Sequence, residues 1–195
     1  YYSAYKSSNI DAAVDILQKI GENIHKLNPR DIESAIESIT KIHNLRIKRK
    51  DKAWTQKVFT EISKFDLELQ KVLLTYFVYS SYEEKTKDSI KASKYNGKNL
   101  LEYIESLHQA YPCDKEIMSL YANQSAYMGM KYNAGSKKDV KDSETYLLNS
   151  IILNEKLYEF DKTNSNKENL ANAYSNIARF YLDLGPNKSC LLYTS

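Results

Sequence analysis

The stretch that decides the reading is Leu170–Gly185, LANAYSNIARFYLDLG. Tyr174, Ile177, Ala178 and Tyr181 stand at i, i+3, i+4 and i+7, the spacing that gathers side chains on one face of an α-helix. Ala178 carries only a methyl group, so a second helix is expected to cross closely there. Gly185 tolerates a left-handed C-cap and Pro186 has no N–H to continue the ladder, so the helix is expected to stop at this pair.

A looser echo lies upstream at Leu120–Gly135, LYANQSAYMGMKYNAG. Tyr121 and Ser125 repeat the aromatic and small positions, and Asn123 aligns with Asn176. Gln124 and Met128 depart from the pattern at the places of Ile177 and Tyr181. Between the two segments runs SETYLLNSIILNEKLYEF, in which Ser143, Leu147 and Ser150 alternate small, large and small along one helical face.

This arrangement resembles the tetratricopeptide repeat (TPR) family. The family's first helix carries an aromatic, then a Leu-like residue, a small residue and a Tyr at these offsets. Tyr174 stands at the aromatic position, Ile177 at the Leu, Ala178 at the small residue and Tyr181 at the Tyr. The resemblance covers roughly one and a half repeats over residues 115–186, with a unit longer than the family's ~34 residues. The surplus falls in an expected loop over 133–142 and an extended helix over 143–160. The resemblance implies an all-α fold, a right-handed α-solenoid of antiparallel helix pairs. It also implies a concave groove in which the residue two after the first aromatic faces a bound peptide. Those residues are Asn123 and Asn176, with Arg179 one turn on adding charge. An Asn amide suits the role, since it both donates to and accepts from a peptide backbone. The Lys, Asn and Arg set with which some chaperone-binding relatives hold a carboxylate is incomplete here.

Composition agrees with helices. The chain has 195 residues, 42% of them hydrophobic, enough for a real core, and only 5 Gly and 3 Pro, too few turns for a β-sandwich. Tyr is abundant at 17 residues, and its ring packs between helices while its hydroxyl reaches water. A net charge of +3 over 28 basic and 25 acidic residues is a mixed surface, so no nucleic-acid partner is expected. No apolar run is long enough to span a membrane.

Working outward, residues 1–95 read as a helical region, either divergent repeats or a separate helical domain, and residues 96–189 as the repeat region. Asn9 caps a helix with Ile10, Ala13, Val14, Leu17, Ile20 and Ile24 as its stripe. Pro29 opens the next, which carries Ile32, Ala35, Ile36, Ile39 and His43. RIKRKDK over 46–52 reads as a solvated basic turn, and Asp51 caps a helix with Trp54, Val58 and Ile62. Asp66 caps another, with Leu69, Val72, Leu73, Tyr76 and Phe77 inside. Asn96-Gly97 is expected to separate a charged helix from one whose core is Leu100, Leu101, Ile104 and Leu107 and which Pro112 ends. Both ends of the chain read as cut. The last six residues, CLLYTS, match one reading frame of a transposon-end adapter used in sequencing libraries, so 190–195 is read as a non-native tail.

No constellation for catalysis emerges. His25, His43 and His108 are isolated and none belongs to a metal-binding pair, so each reads as a structural His. The acidic residues alternate with Lys at helical spacing, as in Asp139, Lys141 and Asp142, which makes a solvated face. Gly97, Gly129, Gly135 and Gly185 stand apart and form no phosphate loop. Cys113 and Cys190 have no metal spacing, and Cys113 reads as a buried small hydrophobe or an inert thiol. Asn123-Gln124-Ser125 is a glycosylation sequon, but inside a packed helix it reads as chance. The sequence therefore points to a cytoplasmic, non-enzymatic scaffold without cofactors that binds a protein or peptide partner. Two rival readings stay open: the interaction segment of a larger enzyme or signalling ATPase, and a nucleic-acid-binding α-solenoid.

Overall fold

The computed structural model describes residues 10–23, 58–82, 87–132 and 137–193, with isolated positions between 26 and 34. Its helices are α1 (Ile10–Asn23), α2 (Leu67–Tyr82), α3 (Lys87–Ala110), α4 (Lys115–Tyr132), α5 (Lys137–Phe160) and α6 (Asn164–Tyr193). A further helical stretch occupies residues 58–62. No strand occurs among the described residues, so the fold is all-α. The readings placed on Asn9, His25, Pro29, His43, the 46–52 turn and Trp54 lie outside the described residues, as do the side chains of the 190–195 tail.

The chain forms two compact units, Tyr1–Leu100 and Leu101–Ser195. In the first, Ile20 of the expected α1 stripe is fully buried, and Ile16, outside that stripe, is buried too. Val58 and Ile62 are buried as expected, and Phe59 meets Phe77 of α2 edge-on at 6.2 Å between ring centroids. Asp66 caps α2, its Oδ1 accepting the Leu69 N–H at 3.0 Å. Val72 is exposed against expectation, because α2 buries Leu69, Leu73, Leu74, Phe77 and Val78 and this stripe turns Val72 outward.

Two expected stops do not occur. α3 runs through Asn96-Gly97 without a break. Glycine inside a helix costs only ~1 kcal/mol against Ala, and burial of Leu100, Leu101 and Ile104 outweighs it. α6 likewise runs through Gly185-Pro186 to Tyr193. The carbonyl that Pro186 leaves without a donor is that of Leu182, whose position is 81% exposed, so water can satisfy it. The expected 133–142 loop is also shortened, since α5 begins at Lys137. Pro112 does end its helix: α3 closes at Ala110, and Asp114 then caps α4 by accepting the N–H groups of Glu116 and Ile117, each at 3.0 Å.

In the second unit α4, α5 and α6 pack in sequence. Ser143 Oγ of α5 donates to the Gly129 carbonyl of α4, and Asn149 Nδ2 donates to Ser125 Oγ at 3.1 Å. Residue numbers rise on one helix as they fall on the other, so the pair is antiparallel. The same holds between α5 and α6, where the hydroxyls of Tyr174 and Tyr181 each donate to a carboxylate, Glu155 and Glu144, at 2.5 Å. Between these two helices Val140, Leu147 and Ile151 interlock with Ala173, Ile177, Phe180 and Leu184. Ser143, Leu147 and Ser150 are all fully buried, in line with their small, large, small pattern.

The face of α6 is turned from the expected one. Ile177 is buried, but Tyr174, Ala178 and Tyr181 are exposed, and the helix presents Ala173, Phe180 and Leu184 to α5 instead. Ala178 is thus no close crossing. The close crossing lies at Gly129, where an added Cβ would stand 2.5 Å from Leu147 Cγ and 3.0 Å from the Ser143 carbonyl oxygen. Only a glycine lets α4 and α5 approach this far.

Candidate functional site

One flank of α6 carries Asn176, Arg179 and Asp183, spaced i, i+3 and i+7. The opposite flank carries Tyr174, Ala178 and Tyr181, and the buried stripe of Ile177, Phe180 and Leu184 runs between the two. Packing against α5 fixes this roll, which aims the polar flank toward α4. There it closes a cleft of about 300 Å³ lined by Gly129 and Met130 of α4, Leu147 of α5, and Asn176, Arg179, Phe180 and Asp183 of α6. The floor is apolar and one wall is polar.

The structure therefore brings Asn176 and Arg179 of the expected groove into one cleft. Asn123 is not among its lining residues; it stands half-buried on α4, two turns before Met130 and on the same stripe. Met130 and Asp183 were not singled out from the sequence. The signal was present, since Asp183 lies seven residues after Asn176 and Met130 seven after Asn123. Among the described residues the side chains of Asn176, Arg179 and Asp183 make no hydrogen bond or ion pair within the chain. An amide, a guanidinium and a carboxylate in one cleft offer both donors and acceptors, with charges that offset each other.

A second polar cluster joins α3, α4 and α5. The Tyr121 hydroxyl donates to Glu105 Oε1 at 2.9 Å, and the His108 ring lies against the Tyr121 ring at 5.6 Å. Burial, then the bond to Glu105, pushes the Tyr121 hydroxyl up to about 12. Burial alone does the same to Tyr103, also to about 12. Burial, then neighbouring Lys156, lowers His108 below the usual imidazole range. His108 is half-buried and placed by packing, as a structural histidine is. Cys113 is exposed at the α3–α4 turn, which removes the buried alternative for it. Of the sequon, Gln124 and Ser125 are fully buried within α4, and Asn123, the residue that would carry a glycan, is half-buried there.

Among the described residues no group of three or more His, Cys, Asp and Glu could hold a metal ion, and no helix is long and apolar enough to cross a membrane. Comparison with protein-family models, curated proteins and solved structures found no match to the chain.

Proposed function

We propose that the chain is a non-catalytic protein-interaction module, a TPR-like right-handed α-solenoid that binds an extended peptide in the cleft between α4 and α6. The observation that carries this reading is the cleft wall of Asn176, Arg179 and Asp183, three polar groups with no partner among the described residues, above an apolar floor. A concave site with an apolar lining and a few convergent polar groups is the usual form of a ligand pocket. The Asn176 amide pairs with a peptide unit, Arg179 with an acidic group and Asp183 with a basic one. Met130, Leu147 and Phe180 receive an apolar side chain between them.

Asn123 belongs to the same path. It precedes Met130 by seven residues, which along a helix is ~10 Å. About three residues of extended chain cover that distance, so a peptide seated in the cleft reaches Asn123 by running along α4. The test uses peptides selected on the full chain from a random display library. Asn176→Ala and Arg179→Ala are each expected to weaken binding, by ~0.5–1.5 kcal/mol for a neutral bond and ~1.5–3 for a charged one. Lys141→Ala, on α5 away from the cleft, should change nothing. Full affinity in an Asn176→Ala, Arg179→Ala double variant would refute the cleft as the binding surface.

A further inference from the structure

The exposed flank of α6 corresponds, residue for residue, to a face of α4 that is covered. Aligning Tyr121 with Tyr174 pairs Met118, Tyr121, Ala122, Ser125, Met128 and Gly129 with Ala171, Tyr174, Ser175, Ala178, Tyr181 and Leu182. All six α4 residues are buried, and α5 lies against the Ser125 and Gly129 edge. All six α6 residues are exposed, Tyr174 at 47%, Tyr181 at 40% and Leu182 at 81%. The face continues onto α5, where Leu148 and Ile152 are also exposed.

The rim of this face has a definite chemistry. Glu144 and Glu155 of α5 stand along it, held by the hydroxyls of Tyr181 and Tyr174, and Glu159 is exposed one turn beyond Glu155. Among the described residues neither Glu144 nor Glu155 has a cationic partner. Lys141, one turn before Glu144, is the cation that helical spacing places on this edge, and it pairs with neither. The hydrogen bond to Glu155 raises the Tyr174 hydroxyl above its usual range. A second copy of the chain would meet this face with the same glutamates, because a twofold contact pairs a surface with itself.

We infer that the α5–α6 face docks an amphipathic helix with basic flanks, lying antiparallel to α6 as α5 lies to α4. Its apolar stripe covers Tyr174, Ala178, Tyr181 and Leu182, with a small residue over the Tyr rings and a larger one over Ala178. Its Lys or Arg residues reach Glu144 and Glu155. This surface is separate from the cleft, since Asn176, Arg179 and Asp183 occupy the opposite flank of α6.

The probe is a pair of fluorescein-labelled helical peptides of about 20 residues, long enough to hold a helix. They share one Ala/Leu face and differ only in carrying Lys or Glu on the flanks. Fluorescence anisotropy with the full chain should show binding of the Lys peptide and at least roughly tenfold weaker binding of the Glu peptide. A Glu144→Gln, Glu155→Gln variant should remove most of that preference, and Leu182→Asp should weaken both peptides. All three positions are exposed or half-exposed, and circular dichroism of each variant confirms that it folds. Asn176→Ala should leave the Lys peptide unaffected, which separates this result from that of the cleft. Equal binding of the two peptides, no binding of either, or indifference to Leu182→Asp overturns the inference. So does self-association of the chain that Ala178→Glu abolishes, because the occupant is then a second copy.

Discussion

Gly129 of α4 and Leu147 of α5 approach so closely that a Cβ on the glycine would stand 2.5 Å from Leu147 Cγ. Comfortable carbon pairs sit at ~3.5–4 Å. Leu147 could yield by changing rotamer, but the Ser143 carbonyl at 3.0 Å is backbone and cannot. Gly129→Ala is therefore expected to destabilise the fold by ~1–3 kcal/mol, even though Ala is intrinsically the better helix former by ~1 kcal/mol. Urea unfolding measures this. The companion Ala178→Leu, on an exposed face, should stay within ~0.5 kcal/mol of the parent. The reverse ranking would mean that α6, not α4, supplies the close crossing.

Asp114 accepts two N–H groups at the start of α4, the most buried helix of its unit. Asp114→Ala should cost ~0.5–2 kcal/mol, and Asp114→Asn less, since the amide oxygen still accepts. Thermal unfolding of the two variants checks the order. An Ala variant as stable as the Asn one would argue against the cap.

Alkaline titration offers a third check. Tyr121 and Tyr103 have folded-state values raised to about 12, against about 10 for an unperturbed tyrosine. Their contribution to stability is complete below the unfolded value and is lost as pH rises from about 10 through about 12. His108 runs the other way. Its lowered value favours the neutral ring, so its contribution is present above the ordinary imidazole value of about 6.5 and is lost as pH falls below it. Stability should fall on both sides of a plateau. His108→Gln should soften the acid limb and Tyr121→Phe the alkaline one. An alkaline limb unmoved by Tyr121→Phe contradicts the burial of that hydroxyl.

Pro186 lies inside α6 and leaves the Leu182 carbonyl without its helical donor. Pro186→Ala restores that bond, a change of up to ~3 kcal/mol in favour of the helix. Helicity by circular dichroism should stay the same while the melting temperature rises, because α6 already runs to Tyr193. A rise in helicity would mean that the chain turns at Gly185 after all.

These contrasts show which parts of the fold were legible in the sequence. Periodicity placed helices around Ile177, Ile104, Leu73 and Val58, because burying an apolar stripe is what makes a helix worth forming in this chain. It did not place the roll of α6. Tyr174, Ala178 and Tyr181 have the spacing of a covered face, yet whether a face is covered depends on a neighbour that local sequence does not specify. Gly129 stood unexplained for the same reason, as its role exists only against Leu147. Asn96-Gly97 carries a strong local signal that helix packing overrode, and the backbone of α6 likewise runs on through Gly185-Pro186. In the cleft, Asn176 and Arg179 were reachable through the TPR resemblance. Met130 and Asp183 required knowing that α4 and α6 face one another across α5.

The central claim, a peptide seated between α4 and α6, is tested most directly by amide chemical-shift mapping of the isotope-labelled full chain with a library-selected peptide. The largest shifts should fall at Gly129, Met130, Asn176, Arg179 and Asp183, extending to Asn123 for peptides long enough to follow α4. Shifts centred on Tyr174, Ala178 and Leu182, or on residues 10–82, with the cleft silent, would contradict it.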